Sequence, residues 1–493
     1  LSLRRQRQMC IRDRVGKIPG KENAFCIIGL RAGLGEGGGH GWLLAQQIVH
    51  GEACYDTWCL DPRRFTSHTN VEMTSLKAIE DYQNEFRFHF PHEHRPAARP
   101  AKTTALTPVM ANANAEFTVI NGWERIEYIK PSKNFHYSPS FHFDETFDIV
   151  ANEVKNIQNN VGLTEVNGFN RFEITGSDAN SFVDRMFCGN VTQKSGRVGL
   201  GYLLNDFGMI KSEATISNIP ATDRGPKRMW YGSAAASEFH DMDWLMQHLK
   251  DEENVVIKSL TNEQTILLLA GPKAREVLSK CSREDWSKES FPWLSVRECF
   301  IGFSPATVMS VSFSGELAYE VHVPNESLYA AYLALTEAGE EFGMKLFGSR
   351  AVESMRMEKG FLGWKSDLIT EFDPFETGLD RFVNLKKDNF IGKEALKKRI
   401  KQSPNQKLVC LKVACKHAPA YGGASLMEDG KVVGTITSGE WGHRVNLNLA
   451  YAFVNIEKSK EGTQMHLDLL GELVSVEVIP FGPYDESYSR ILA

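Results

Sequence analysis

The chain contains two copies of one supersecondary pattern, and this repeat limits the folds that it can adopt. Residues 171–187 and 265–281 each run from an apolar β-like stretch through a glycine into an amphipathic helix. Ser177 is the expected N-cap of the first helix, and Pro272 marks the start of the second. Two units of one design predict a pseudo-symmetric α+β domain with a ligand site at the seam between its halves.

The patterning divides the chain into further segments. Residues 147–400 carry the α+β pattern, whereas residues 405–493 contain short β-branched runs separated by turn residues. Such a series predicts a small antiparallel β-barrel domain. The polar, proline-containing stretch 66–146 is predicted to be a linker and a connection to a central domain.

Composition excludes several classes of function. At 493 residues the chain is long enough for two to four domains, and its formal net charge of -6 lacks the basic stripe of a nucleic-acid-binding protein. No apolar run approaches the roughly 20 residues that cross a bilayer, so no membrane partner is expected. The 9 cysteines and 14 histidines show neither disulfide-framework nor metal-ligand spacing, which favours an intracellular protein without a metal. The oligomeric state stays open.

The N-terminal 65 residues hold two distinct segments. Residues 1–14 are basic and without periodicity, and we interpret them as non-native sequence, with a transit peptide as the alternative. Residues 15–65 contain a glycine cluster that is expected to form a loop entering a helix, where backbone can approach a ligand closely. A tight loop without a ligand is the other interpretation. The glycines concerned are Gly35, Gly37, Gly38 and Gly39.

Three segments carry the candidate site residues. Glu213 follows a glycine-containing turn and lies in a β-like run. Glu320 follows a second such turn, which begins at Phe313. Residues 349–361 have the pattern of a helix that bears Arg356. Carboxylates held by strand backbone can accept hydrogen bonds from a ligand and can transfer protons.

Together these segments resemble the tetrahydrofolate-binding domain shared by the glycine-cleavage aminomethyltransferase, sarcosine dehydrogenase and dimethylglycine dehydrogenase. Residues 212–215 and 232–244 most resemble the dimethylglycine dehydrogenases. The resemblance implies that residues 15–65 are the end of an FAD-binding amine-oxidase domain. The strand–GxGxxG–helix unit that holds FAD in that family is not found, so we expect an N-terminally truncated chain, with FAD bound only by the full-length protein.

The resemblance also implies roles for the site residues. Glu320 would bind the pterin edge, with Phe313 as an apolar wall where the family has tyrosine. Glu213, where many members have aspartate, would lie near N5 and act in catalysis. Arg356 would bond folate or hold Glu320, unless it forms only an i,i+3 ion pair with Glu353.

The implied function is one-carbon transfer to a small molecule. The domain would capture the iminium or formaldehyde unit from oxidation of an N-methyl amine onto tetrahydrofolate, which gives 5,10-methylenetetrahydrofolate. Two alternatives stay open, a non-catalytic folate-binding or scaffold module and a folate-dependent demethylase of another methyl donor. The scaffold proteins of this fold carry a cysteine where this chain has Phe361, which disfavours the first alternative. The expected compartment is the cytoplasm of a bacterium or the mitochondrial matrix.

Overall fold

The computed structural model describes most of the chain, namely residues 13–30, 33–65, 68–87, 89–402 and 404–493. Of the segment interpreted as non-native, only Asp13 and Arg14 lie within these ranges, and Arg14 begins a strand. The described α-helices are, in chain order, α1 (Gly33–His50), α2 (Val71–Gln83), α3 (Thr107–Asn112), α4 (Thr146–Asn159), α5 (Ala179–Met186), α6 (Glu238–Gln247), α7 (Ala274–Cys281), α8 (Leu328–Gly339), α9 (Ser349–Lys359) and α10 (Lys393–Ile400).

The described strands form two hairpins, two larger sheets and a barrel. In chain order they are β1 (Arg14–Lys17), β2 (Phe25–Ile28), β3 (Ala115–Ile120), β4 (Trp123–Ile129), β5 (Gly162–Val166), β6 (Phe169–Thr175), β7 (Val198–Leu204), β8 (Ile210–Ile219), β9 (Arg228–Ala235), β10 (Val256–Ser259), β11 (Gln264–Ala270), β12 (Val296–Ile301), β13 (Ser304–Met309), β14 (Ala318–Pro324), β15 (Lys345–Leu346), β16 (Gln406–Val413), β17 (Ser425–Glu428), β18 (Lys431–Gly442), β19 (Leu447–Asn455), β20 (Gln464–Leu469) and β21 (Glu472–Ile479).

The predicted pseudo-symmetric α+β domain is confirmed. One half is an antiparallel sheet in the order β10-β6-β9-β8-β7, and the other has the order β12-β13-β14-β11-β5-β15. In each half a strand, β6 or β11, leads through a glycine into a helix, α5 or α7. Gly176 and Gly271 both have positive φ, at 117° and 131°, and a Cβ at either position would collide with a backbone carbonyl. Only glycine satisfies both conditions.

The predicted helix starts differ from the observed ones by one or two residues. Helix α5 begins at Ala179, and its N-cap position is Asp178 rather than Ser177. The Asp178 carboxylate accepts a hydrogen bond from the backbone N–H of Asn254 (2.8 Å). It therefore bonds a neighbouring loop and does not cap the N–H groups of its own helix. In the second unit Lys273 holds the N-cap position, one residue after Pro272.

The two sheets face each other across a shared seam. Backbone hydrogen bonds join their edges, from Val198 N to the carbonyl of Leu294 (2.8 Å) and from Val296 N to the carbonyl of Gly196 (2.9 Å). Buried apolar side chains from both sheets then form one cluster between them. Its members are Val198, Ile219, Trp230, Leu260, Val296 and Met309.

The stretch predicted as a linker is more ordered than its composition suggested. It contains α2, α3 and the β3–β4 hairpin. Leu106, Met110 and Ile126 are buried in the same core cluster as Leu267 and Leu269 of the second sheet. The linker prediction rested on proline and histidine content. This content gave too little weight to the few apolar side chains of the stretch, which pack into this core.

The C-terminal domain is a closed antiparallel barrel in the order β16-β19-β18-β17-β20-β21, as predicted. A buried arginine joins it to the folded core beside the seam. Arg444 has a fully buried side chain that pairs with Glu316 (2.7 Å) and with Glu358 of α9. It also donates to the carbonyls of Ser314 and Met355, both at 2.8 Å.

We expect Arg444→Met to destabilise the protein strongly, because it leaves two buried carboxylates without their shared partner. Breaking a buried pair in this way costs about 3–5 kcal/mol in the free energy of unfolding. The matched control is Lys280→Met, whose half-exposed pair with Glu341 is worth at most about 1 kcal/mol. Urea denaturation followed by circular dichroism measures both. Equal midpoints for the two variants would contradict the structural role of Arg444.

Candidate functional site

Glu213 lies in the middle of β8 and is bound by a tyrosine from the neighbouring strand. The register places Tyr202 of β7 directly opposite Glu213. The Tyr202 hydroxyl donates a hydrogen bond to Oε2 of Glu213 at 2.6 Å. Burial and the nearby Glu213 charge raise the pKa of Tyr202 well above its usual value. Tyr202 therefore stays protonated and acts as a permanent donor.

The environment of Glu213 brings its ionisation close to neutral pH. Burial raises the pKa of Glu213 to about 7, against the hydrogen bond from Tyr202, which lowers it. A carboxyl group with this pKa populates both protonation states at neutral pH. It can therefore accept a proton and return it within one reaction cycle.

Glu320 occupies the facing sheet and is held in the ionised state. It lies on β14, and Nε2 of His322 is 3.1 Å from its Oε2. Burial would raise the pKa of Glu320, but the bond with His322 and the charge of Arg171 outweigh it and lower the pKa. Burial and Arg171 lower the pKa of His322 to about 4, so a neutral imidazole donates its Nε2–H to the carboxylate.

The structure places both glutamates at the seam. On β8, residues 213, 215 and 217 share one face, because side chains alternate along a strand. Ser217 Oγ contacts Met309 Sδ across the seam at 3.3 Å, and Met309 is the register partner of Glu320. The ring of His322 also packs against Trp230 of the first sheet, with centroids 5.7 Å apart.

Phe313 provides an exposed aromatic surface on the loop that leads to Glu320. Its ring stacks on Phe361, with centroids 5.8 Å apart and an interplanar angle of 11°. The loop is held by Ser312, whose hydroxyl donates to the carbonyl of Glu316 at 2.7 Å. Gly315 has φ of 80° and packs on Lys359, a position that a larger residue would strain. The loop therefore holds Phe313 beside Phe361.

Arg356 has no guanidinium donor left for a ligand. Its five N–H groups bond to Glu353, to Asp367 (3.0 Å), to the carbonyl of Phe361 (2.9 Å) and to Ser438 (3.0 Å). The predicted i,i+3 ion pair with Glu353 is present. Arg356 is nevertheless buried, and it also bonds Ser438, which belongs to the barrel. No hydrogen bond joins it to Glu320 in the described residues. A direct bond to folate would require one of these contacts to break.

The glycine cluster does not form the predicted loop. Gly35, Gly37, Gly38 and Gly39 all lie inside helix α1, which begins at Gly33. Glycine lowers helix propensity by about 1 kcal/mol per residue, and this is why the run resembles a loop in sequence. A Cβ at Gly35, Gly38 or Gly39 would meet no atom within 4 Å. The cluster therefore shapes no cradle that a dinucleotide would fill, and contact with FAD stays a prediction.

Three residues at the seam were missed by the sequence predictions. Tyr202 could not be found by counting from the turn at 205–209, because a β-bulge between Leu203 and Leu204 shifts the register by one residue and so places Tyr202 opposite Glu213. His322 lies two residues after Glu320, so strand periodicity places both on one face. Arg171 gives no local signal, because its proximity to Glu320 depends on how the two sheets meet.

A group of possible metal ligands lies away from both sheets. Among the described residues, atoms of Asp13, Glu36 and His40 lie within 4.8 Å of one another. Glu36 and His40 belong to α1, whereas the seam is built from other elements. The described helices also include none with the length and apolar character to cross a membrane.

Comparison with known proteins agrees with this architecture. Residues 106–387 match the GCVT N-terminal domain, which is more than half of the 493 residues. The chain belongs to the GCVT N-terminal domain family. Residues 406–485 of this GCVT chain match the glycine cleavage T-protein C-terminal barrel domain. Residues 50–104 match the FAD dependent oxidoreductase central domain, which confirms that an oxidoreductase remnant is present. The match overlaps the predicted range 15–65 only in part and extends into the stretch predicted as a linker.

Curated relatives confirm the predicted kinship. Mitochondrial dimethylglycine dehydrogenase of Homo sapiens is 33% identical over 461 residues, which cover 93% of this chain and 52% of that protein. Mitochondrial sarcosine dehydrogenase of Mus musculus is 27% identical over 527 aligned residues, and the alignment covers 97% of this chain and 57% of that protein. The chain thus spans about half the length of the curated relatives that it matches. The expected truncation stays a prediction.

A solved structure shows the same fold. The glycine cleavage system aminomethyltransferase T from Bartonella henselae superposes with a TM-score of 0.67 at 20% sequence identity. The match covers 78% of this chain and 98% of that one. The aminomethyltransferase-type fold predicted from the sequence is therefore confirmed.

The raised pKa of Glu213 predicts a pH-dependent stability. Its ionised form is disfavoured in the folded protein, so the folded state loses stability as pH rises from the unfolded value, about 4.3, towards 7. Glu213→Gln removes this loss. Its advantage in urea midpoint over the unmodified protein should grow between pH 5 and pH 8, with exposed Glu461→Gln as control. A difference that does not change with pH would contradict the raised pKa.

Proposed function

We propose that the seam binds tetrahydrofolate and that the chain transfers a one-carbon unit to it. One observation carries the proposal. Two glutamates face a shared seam, one with its pKa lowered and the other with its pKa raised to about 7. Two carboxyl groups whose environments separate their pKa values are suited to different tasks, binding by the first and proton transfer by the second.

Glu320 suits recognition of the pterin. The aminopyrimidinone edge of the pterin presents two adjacent N–H donors, and an ionised carboxylate accepts both in a bidentate arrangement. His322 bonds one carboxylate oxygen from the side and restrains its orientation. Phe313 stacked on Phe361 offers an apolar wall beside the same strand. Arg356 serves to position the helix α9 and the barrel around this wall rather than to bond the ligand.

Glu213 suits the carbon–nitrogen chemistry. N5 of tetrahydrofolate would attack the iminium carbon and lose its proton, and the amine would leave once it has gained one. Attack by N10 and loss of a second proton then gives 5,10-methylenetetrahydrofolate and a protonated amine. A carboxyl group with pKa near 7 can take the N5 proton and return it to the amine. Tyr202 keeps it aligned between these transfers.

The source of the iminium lies with the oxidoreductase part of the relatives. We propose dimethylglycine- or sarcosine-type amines as its origin, because the relatives are named dehydrogenases of these two substrates. FAD would supply the oxidation in the full-length protein. The α1 glycines fit no FAD cradle, and no flavin step is assigned to residues of this chain. Both relatives are named as mitochondrial, and the matrix or a bacterial cytoplasm is proposed for this chain.

Replacing Glu320 tests the binding role. Glu320→Gln exchanges one acceptor oxygen for a donor that faces the N–H groups of the pterin. We expect tetrahydrofolate affinity to fall by about ten- to a hundredfold, the usual value of a charge-assisted pair. Calorimetry under anaerobic conditions measures it, with exposed Glu461→Gln as control. Unchanged affinity in a folded Glu320→Gln variant would remove this residue from the site.

Replacing Glu213 tests catalysis separately from binding. Glu213→Gln keeps the side-chain length and should keep most of the folate affinity. It should slow formation of 5,10-methylenetetrahydrofolate from formaldehyde by about 10²–10⁴-fold, and Glu213→Asp should recover part of the rate. Stopped-flow absorbance, corrected for the spontaneous reaction, measures the rate. An unchanged rate in Glu213→Gln would favour the alternative of a module that binds folate without catalysis.

A further inference from the structure

Arg171 is a buried arginine whose side chain has no hydrogen-bond partner among the described residues. It lies on β6 and is 4% exposed. Its guanidinium carbon lies 5.7 Å from the ring centroid of Trp230. Burial lowers the pKa of Arg171 to about 10, although the charge of Glu320 raises it. The Arg171 nitrogens are not among the fully enclosed unpaired polar atoms of the described residues, so they reach accessible space in which a ligand or water can accept their hydrogen bonds.

The register places Arg171 on the seam face of the first sheet. It pairs with Gly232 of β9, and Gly232 pairs in turn with Thr215 of β8. Gly232 has no side chain between Arg171 and Thr215, and a Cβ there would lie 2.9 Å from the Thr215 hydroxyl. Strand spacings of about 4.8 Å and a rise of about 3.3 Å per residue put the Cα atoms of Arg171 and Glu213 about 12 Å apart.

Arg171 also lies close to the group that binds the pterin edge. Its charge lowers the pKa of Glu320, and Trp230 contacts both Arg171 and His322. Other arginines of this region have partners. Arg228, on the same sheet face, pairs with Glu173 at 3.0 Å and with Glu298 at 2.5 Å. Arg356, the arginine expected near Glu320 from the sequence, has all its donors in use.

We propose that Arg171 is a further folate-recognition residue that donates hydrogen bonds to the C4 carbonyl oxygen of the pterin. This inference rests on the proposed folate function. The pterin edge presents two donors, the 2-amino group and N3–H, next to one acceptor, the C4 oxygen. Glu320 complements the donors, and a guanidinium beside it complements the acceptor. Glu320 and Arg171 together would recognise all three groups of this edge. Glu320 alone would not distinguish a ligand that has the C4 carbonyl from one that lacks it.

The test compares binding of tetrahydrofolate with binding of 6-methyltetrahydropterin, which lacks the p-aminobenzoylglutamate tail. In Arg171→Met we expect affinity for both ligands to fall by about ten- to a hundredfold, with a smaller fall in Arg171→Lys. Arg228→Met removes a charge from the same sheet face and serves as the matched control. Its affinities should stay close to those of the unmodified protein.

Each outcome separates the possible roles of Arg171. Unchanged affinity for both ligands in a folded Arg171→Met variant overturns the proposal. A loss confined to tetrahydrofolate also overturns it, because the arginine would then bind the tail. Thermal unfolding gives a second readout, since loss of an unpartnered guanidinium should leave stability unchanged or raised, whereas a structural arginine would leave it lowered. Failure of the unmodified protein to bind either ligand would instead refute the folate function itself.

Discussion

Arg444 holds the parts of this protein together at the point where they meet. Its fully buried guanidinium pairs with Glu316, on the loop before β14, and with Glu358 of α9, although it belongs to the barrel turn between β18 and β19. Glu358 depends on it most, since Arg444 is its cationic partner and a buried charge without one is very costly. The C-terminal segment adds to the same cluster, because Tyr484 and Arg490 both bond Glu316 at 2.7 Å. The loop that carries Phe313 is therefore set by the barrel.

The same contrast between paired and unpaired charge distinguishes the two glutamates of the seam. Glu320 has a donor in His322 and a cation nearby, so burial does not prevent its ionisation. Within the described part of the chain, the one side chain that donates to Glu213 is the neutral hydroxyl of Tyr202, so burial dominates and raises the pKa of Glu213 to about 7. One fold thus gives two identical side chains different properties through their neighbours alone. Arg171 is a third buried charged group at the seam, and we propose that its partner is the C4 oxygen of a bound pterin.

Local patterns predicted much of the fold. The two strand–glycine–helix units, the barrel and the placement of Glu213 and Glu320 on strands all follow from periodicity and turn residues within short windows. The errors arose where a local preference was overridden. The glycines of α1 are helical despite their low propensity, and the predicted cap at Ser177 is displaced by the bond between Asp178 and Asn254. The stretch before β3 was predicted as a linker, yet Leu106 and Met110 are core residues.

The sequence by itself determined which residues could act, because carboxylates, aromatics and strand positions are visible in its order and in its resemblance to folate-binding domains. Only the tertiary structure decided what each of them does. The guanidinium donors of Arg356 are occupied by Glu353, Asp367 and Ser438, which lie on one helix, one loop and the barrel. Arg171 has no such partners in the ranges that the structure describes, and its charge interacts with that of Glu320 across the seam between the sheets. Charge and hydrogen bonding act through space, so Arg171, 149 residues before Glu320 in sequence, helps to set the ionisation of that carboxylate.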